Sequence, residues 1–170
     1  MEKVILVNEQ DEELGMMEKM QAHSLGLLHR AFSIFIFNKK NELLLQQRAK
    51  SKYHSGGLWS NTWCSHPRQN ESVLLAAERR LVEEMGFTAD LSKVFDFIYR
   101  KQLDKGLFEH EFDHVFVGEY EGELSINRSE VEAFEYVNIE ELTSRIQKTP
   151  HLYTEWFKIS LHQVLTFVTR

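Results

Sequence analysis

The chain has 170 residues, 42% of them apolar and 27% charged, which suits an ordinary globular protein long enough to bury a core. Its net charge of −6 argues against a partner held by nucleic-acid phosphates, and no apolar run approaches the roughly 20 residues that span a bilayer. The opening Met1-Glu2-Lys3 and Val4-Ile5-Leu6-Val7 are too short for a secretory leader, and the lone Cys64 allows no intrachain disulfide, so a cytoplasmic protein is expected.

Glycine and proline are scarce and no repeat or low-complexity segment interrupts the chain. One domain over 1–170 is expected. Phe32 to Phe37 reads as a strand, Asn38-Lys39-Lys40-Asn41 as a turn, and Leu43-Leu44-Leu45 as a second strand, together a hairpin. Ser51 to Gly57 reads as a loop and Asn61 to Cys64 as a short strand. Asn70 is placed to cap a helix from Glu71 to Met85, with Leu74, Ala77, Leu81 and Met85 on one stripe and Gly86 as its stop. Val94 to Gln102 and Leu107 to Tyr120 read as long strands joined at Asp104-Lys105-Gly106. Glu132 to Val137 follows as another. Asn138 with Glu141 resembles a capping box, and Thr149-Pro150 is expected to open the last helix. Strands, a helix, strands, then helices predict an α/β arrangement, a mixed β-sheet covered by α-helices.

Glu109-His110-Glu111 falls on one of these strands. Alternation puts Glu109 and Glu111 on one face, and Phe108, His110, Phe112 and Phe116 on the other. Exposed glutamates are the norm, but two adjacent carboxylates can also share a metal. Cys64 and His66 share a face if Cys64-Ser65-His66 stays extended. His23, His29 and His66 with Glu109 and Glu111 form a nitrogen/oxygen donor set suited to a divalent first-row ion. His54, His110, His114, His151 and His162 are read as structural or surface residues. In the helix, Arg79 with Glu83 and Arg80 with Glu84 sit one turn apart, as surface ion pairs do.

Glu71, Arg79, Leu81, Glu83, Glu84, Gly86 and Phe87 are similar to the Nudix box. Ser65 stands where that box has its first glycine, and Arg80 where it has the glutamate after its arginine. The likeness implies a Nudix fold, and the missing carboxylate speaks against hydrolysis. Leu28-His29-Arg30-Ala31-Phe32-Ser33, Trp59-Ser60-Asn61-Thr62-Trp63-Cys64-Ser65-His66-Pro67 and Ala76 to Gly86 resemble type 1 isopentenyl diphosphate isomerases, with Glu109-His110-Glu111 at that family's Glu-x-Glu pair. The likeness runs from about Lys19 to Trp156.

The resemblance implies a metal-dependent isomerase of isoprenoid biosynthesis that interconverts isopentenyl and dimethylallyl diphosphate. His23, His29, His66, Glu109 and Glu111 would bind Mn²⁺ or Zn²⁺. Cys64 and Glu111 would be the acid/base pair, with Tyr99 supporting Glu111. Glu84 would help bind Mg²⁺ arriving with the diphosphate. Lys19, Arg48, Lys52 and Arg80 would grip that diphosphate, and Trp156 would lie beside the hydrocarbon. The partner is this small substrate, with neither nucleic acid nor membrane, and a monomer is favoured.

Overall fold

Strand β3 is the axis of the molecule, and its sequence explains why. From Ala31 to Phe37 it is buried on both faces, so apart from Ser33 it reads as an apolar run rather than an alternating one. The computed structural model describes residues 1–168. Chain order is β1 (Lys3–Val7), β2 (Glu13–Glu18), α1 (Lys19–Leu25), β3 (His29–Phe37), β4 (Leu43–Arg48), β5 (Trp59–Ser60), β6 (Trp63–Ser65), α2 (Val73–Met85), β7 (Ser92–Gln102), β8 (Phe108–Glu119), β9 (Val131–Val137), α3 (Ile139–Lys148) and α4 (Glu155–Val168).

β3 pairs in parallel with β8 from His29↔Glu111 to Phe37↔Glu119. Its other edge pairs antiparallel with β6, including Ser33↔Cys64. β7 lies antiparallel to β8, with Tyr99 opposite Glu111. The sheet is therefore mixed, and helices cover both faces. Phe32, Ile34 and Ile36 pack with Ala76, Ala77, Leu81 and Met85 of α2. Phe35 and Phe37 pack on the opposite side with Phe157, Leu161 and Val164 of α4. Leu74, expected on the buried stripe of α2, is 39% exposed, while Ala76 is fully buried.

The expected hairpin forms only at its base. Asn38 Oδ1 accepts from the Lys40 and Glu42 amides, yet β3 and β4 pair only at Phe37↔Leu43. Beyond it the two strands diverge around Asn61-Thr62. Thr62 Oγ1 accepts from the Ile36 amide at 2.9 Å and donates to the Leu44 carbonyl at 2.7 Å. Asn61 Nδ2 donates to the Ile34 and Trp63 carbonyls at 3.0 and 2.9 Å. Two polar side chains thus replace ladder bonds between β3 and β4, which leaves β4 free to pair with β5 and β9. The one strand expected over Asn61 to Cys64 is for this reason two short strands, β5 and β6, flanking the wedge.

Two helix starts also differ from expectation. Asn70 has φ 62° in a turn, and Ser72 caps α2 instead, its hydroxyl accepting from the Leu75 amide. Pro150 opens only a single 3₁₀ turn, Pro150–Leu152, and α4 starts at Glu155. Asn138 does cap α3, but Glu141 pairs with Arg145 rather than closing a capping box. The N-terminal residues, unassigned from sequence, form the β1–β2 hairpin, which joins β3 at Leu6↔His29.

Thr62 is fully buried, so Thr62→Val strands the Ile36 N–H and the Leu44 C=O at once. With about 1–3 kcal/mol per unsatisfied buried group, urea unfolding is expected to show a loss of at least about 2 kcal/mol with an unchanged m-value. A loss below about 0.5 kcal/mol contradicts this role for the wedge.

Candidate functional site

Strand alternation carries the core into the site. On the α4-facing side of the sheet, β3 runs from Phe37 and Phe35 to Ser33 and His29, and β8 runs from Val115 to Asp113, Glu111 and Glu109. Apolar residues give way to polar ones toward the same end of both parallel strands, with Ser33 opposite Val115, Ala31 opposite Asp113 and His29 opposite Glu111. β6 brings Cys64 to the other edge of β3, and His66 follows directly after it. α1 supplies His23. Glu18 caps this short helix and Gly26, at φ 67°, ends it, so the chain turns at once into β3.

His23, His29, His66, Glu109 and Glu111 all converge here and all are buried. His23 Nδ1 lies 2.7 Å from the Lys19 carbonyl, and His29 Nδ1 lies 2.9 Å from the Leu27 carbonyl. A carbonyl only accepts, so in both rings Nδ1 carries a proton and Nε2 is the atom turned to the site, with a lone pair to offer when the ring is neutral. His23 Nε2 is 2.5 Å from Glu109 Oε1, His29 Nε2 is 3.5 Å from Glu111 Oε2, and His66 Nε2 is 3.0 Å from Glu111 Oε2. His23 Nε2, His29 Nε2 and Glu109 Oε1 are nevertheless buried without an aligned hydrogen-bond partner. Donor atoms gathered at this spacing yet left without hydrogen bonds suit a divalent cation. His23, His29 and His66 hold their donors within 4.8 Å of one another, as do His29, Glu109 and Glu111.

The electrostatics are those of buried groups in conflict. Burial alone raises a carboxyl pKa, but His23 and His54 beside Glu109 hold it well below the usual carboxylate range. Burial depresses His66 despite Glu111, while for His23 and His29 the carboxylates outweigh burial and raise them. Tyr99 Oη donates to Glu109 Oε2 at 3.1 Å and makes a short hydrogen bond to Glu111 Oε1. Burial keeps this phenol well above its ordinary value, so it stays a donor.

Cys64 Sγ lies 3.2 Å from Asn61 Oδ1 and 3.5 Å from Ser33 Oγ, and the Ser33 hydroxyl donates to Asp113 Oδ2 at 2.7 Å. Burial, with Asp113 adding, pushes the Cys64 thiol up to about 12. Asp113 is itself raised well above the usual range by burial and by Glu111.

Two small cavities meet at Cys64. One, of about 30 Å³, is lined by Cys64, Glu109, Glu111, His54, Arg48 and Trp156. The other, of about 50 Å³, is lined among others by Cys64, Lys19, Arg48, Lys52 and Arg80. A cleft of about 520 Å³ shares Glu2, Ser65, His66, Arg80 and Glu130 with the second cavity. Lys19 is paired with Glu2 at 2.7 Å, and Lys52 makes a short ion pair with Glu130. The Arg48 guanidinium lies 5.2 Å from the Trp156 ring. Arg80 binds Glu83 at 3.0 Å and Glu84 at 2.9 Å, and Glu84 also accepts from Asn127. Glu84 thus sits behind Arg80 rather than on the cavity wall. Glu71 clamps Arg79 through two bonds of 2.7 and 2.9 Å, fixing the loop that follows His66 against α2.

Sequence reasoning missed four residues here. Asp113 continues the Glu109, Glu111 alternation and was legible in it. Ser33 and Asn61 reveal themselves only through the pairing of β3 with β6. His54, read as structural or surface, is 2% exposed and lies at the centre itself. Among the described residues no helix is long and apolar enough to cross a membrane.

A NUDIX domain family model matches residues 27–157. DR0079 from Deinococcus radiodurans superposes with a TM-score of 0.72 at 20% identity, covering 86% of this chain and 90% of that one. A MutT NUDIX hydrolase from Burkholderia pseudomallei does so with a TM-score of 0.65 at 19% identity, covering 81% and 98%; both likenesses concern the fold alone. An isopentenyl-diphosphate Delta-isomerase of Pectobacterium atrosepticum is 51% identical over 95% of this chain and 90% of that protein. Isopentenyl-diphosphate Delta-isomerase 2 of Aromatoleum aromaticum is 50% identical over 97% and 87%. Half of the residues are shared along nearly the whole length of both relatives, and the chain belongs to the isopentenyl-diphosphate Delta-isomerase family of Nudix-fold proteins.

Proposed function

We propose that this chain interconverts isopentenyl and dimethylallyl diphosphate, with Cys64 and Glu111 as the acid/base pair. The carrying observation is the pair of joined cavities: Cys64, Glu111 and Trp156 line one, and four cations with Cys64 line the other. The lining of the first matches a five-carbon alkene in chemistry and that of the second matches a diphosphate; at about 30 and 50 Å³ both have to widen to admit them.

The reaction adds a proton to the terminal alkene carbon, places a cation on the neighbouring tertiary carbon, and removes a proton from the next methylene. It needs a proton held on one side of the substrate and a proton acceptor on the other. Cys64 and Glu111 come from strands flanking opposite edges of β3. With its thiol pushed up to about 12, Cys64 is the protonated partner at neutral pH, and Glu111 is the acceptor. The reverse reaction exchanges the two roles. Tyr99 holds Glu111 in place by its hydrogen bond. Trp156 presents an aromatic face to the cation, worth up to about 2 kcal/mol in a dry site, and the buried walls keep water from trapping it.

His23, His29, His66, Glu109 and Glu111 hold the divalent ion in this reading, Mn²⁺ or Zn²⁺ by the mixture of nitrogen and oxygen donors. When bound, such an ion offsets the repulsion between the two glutamates and fixes Glu111 as an oriented carboxylate. Lys19, Arg48, Lys52 and Arg80 grip the diphosphate, and Glu84, which is paired with Arg80 behind the cavity wall, would help hold the accompanying Mg²⁺ once Arg80 turns from it to the diphosphate. Arg80 occupies the Nudix-box position of a glutamate, adding positive charge where a hydrolase would carry a carboxylate. An acid role needs Cys64 reduced, which suits the cytoplasm.

Proton NMR of isopentenyl diphosphate in D₂O with Mg²⁺ and Mn²⁺ tests this directly. Dimethylallyl diphosphate carrying deuterium is expected with the native chain. Cys64→Ala is expected to lower turnover by about 10²–10⁴-fold, and Tyr99→Phe by roughly 10–100-fold. Unchanged turnover in Cys64→Ala removes that residue from the chemistry. The protonated state has its own check. Carbamidomethylation of native Cys64 should be slow at pH 7 and rise tenfold per pH unit through pH 10, because the thiolate fraction grows that way below a pKa of about 12. A plateau below pH 9 contradicts a thiol at the start of the cycle.

A further inference from the structure

The reading above uses three histidines at the metal centre, but a fourth is aimed into it. His54 lies between β4 and β5, where Ser55 at φ 52° and Gly57 at φ 80° fold the segment back on itself. Its backbone carbonyl is held by Arg48 Nη2 at 3.1 Å, which fixes the segment against the site. The imidazole is 2% exposed. Its Nδ1 lies 3.1 Å from Ser55 Oγ, leaving Nε2 as the inward atom. That is the orientation shared by His23 and His29, whose Nδ1 atoms are likewise occupied outside the centre.

His54 Nε2 is 3.2 Å from Glu109 Oε1. Neither atom has an aligned hydrogen-bond partner among the described residues, and His23 Nε2 and His29 Nε2 share that condition. With metal–nitrogen bonds of about 2.1 Å, neighbouring donors around an octahedral ion lie about 3.0 Å apart. The His54–Glu109 separation fits that edge, as does the 3.0 Å between His66 and Glu111. His23, His54 and Glu109 also hold their donor atoms within 4.8 Å of one another. His54 packs edge-on against Trp156, whose ring lies 5.7 Å away, while its Nε2 is turned onto the same carboxylate oxygen that faces His23 Nε2.

We propose that His54 is a direct ligand of the same divalent ion as His23, His29, His66, Glu109 and Glu111, making a centre of four imidazoles and two carboxylates. The proposal rests on the metal-centre reading above. It has two chemical consequences. A fourth imidazole shifts preference from Mg²⁺ toward first-row ions, most strongly toward borderline ones such as Co²⁺ and Zn²⁺ and least toward Mn²⁺. Six protein donors also leave such an ion without an open position for solvent, so it positions Glu111 without activating water.

The test is pulsed EPR of chelator-stripped protein reloaded with Mn²⁺, counting the coupled imidazole nitrogens, together with Mn²⁺ affinity by chelator competition. Native protein is expected to show four nitrogens. His54→Ala and His54→Gln, both checked for native circular dichroism, should show three and bind Mn²⁺ at least 10-fold more weakly. His23→Ala is the control, expected to lose one nitrogen as well. If His23→Ala loses a nitrogen while both His54 variants keep the native count and affinity, His54 is an outer neighbour and the proposal is overturned. If native protein binds no Mn²⁺, the metal-centre reading falls and takes this proposal with it.

Discussion

Two glutamates buried side by side on one strand set the terms for this molecule. Glu109 and Glu111 are 3% and 7% exposed, and a buried carboxylate without a partner costs several kcal/mol. Every element around them answers that cost. α1 brings His23, the start of β3 brings His29, the segment after β6 brings His66, and β7 brings Tyr99. The hydrogen bonds they make are incomplete, since several lone pairs at the centre meet only each other. A divalent cation resolves what protons resolve poorly here, because it satisfies all the lone pairs at once.

The same sheet that creates the problem delivers the chemistry. Parallel register between β3 and β8 puts His29 against Glu111, and antiparallel register between β3 and β6 puts Ser33 against Cys64. One residue of slip on either strand turns these side chains to the opposite, α2-covered face. The Asn61-Thr62 wedge protects that register. It satisfies β3 where β4 departs, and Asn61 reaches on to the Cys64 thiol. Asn61 therefore serves both the strand register and the thiol proposed to react. The cation-lined cavity is also balanced in advance, with Glu2 on Lys19 and Glu130 on Lys52. In the proposed reading, a diphosphate entering there would exchange carboxylate partners for phosphate ones.

Much of this was legible from residues alone, and the limits have physical causes. Glu109 and Glu111 declared a shared face through strand alternation, and the Cys64-Ser65-His66 segment with the altered Nudix box pointed to the family. Strand pairing is a long-range choice that local sequence does not carry. The β3–β4 hairpin was overextended for that reason, and the roles of Ser33 and Asn61 stayed hidden. The cap of α2 moved two residues, from Asn70 to Ser72, because the backbone at Asn70 has left the extended region, and the capping box of α3 failed because Glu141 is engaged with Arg145. His54 was overlooked because a histidine in a glycine-containing loop looks solvent-facing, and only the backward fold of that loop buries it.

The measurement that bears most directly on the account is thermal unfolding of chelator-stripped protein with and without Mn²⁺ or Zn²⁺. An ion that binds only the folded centre stabilises by about 4.1 kcal/mol at a thousandfold excess over its Kd. For a chain of this size that is a rise in Tm of about 8–16 °C, and Glu109→Gln should remove most of it. A native Tm that does not move with metal would contradict the claim that these buried donors are built around a cation.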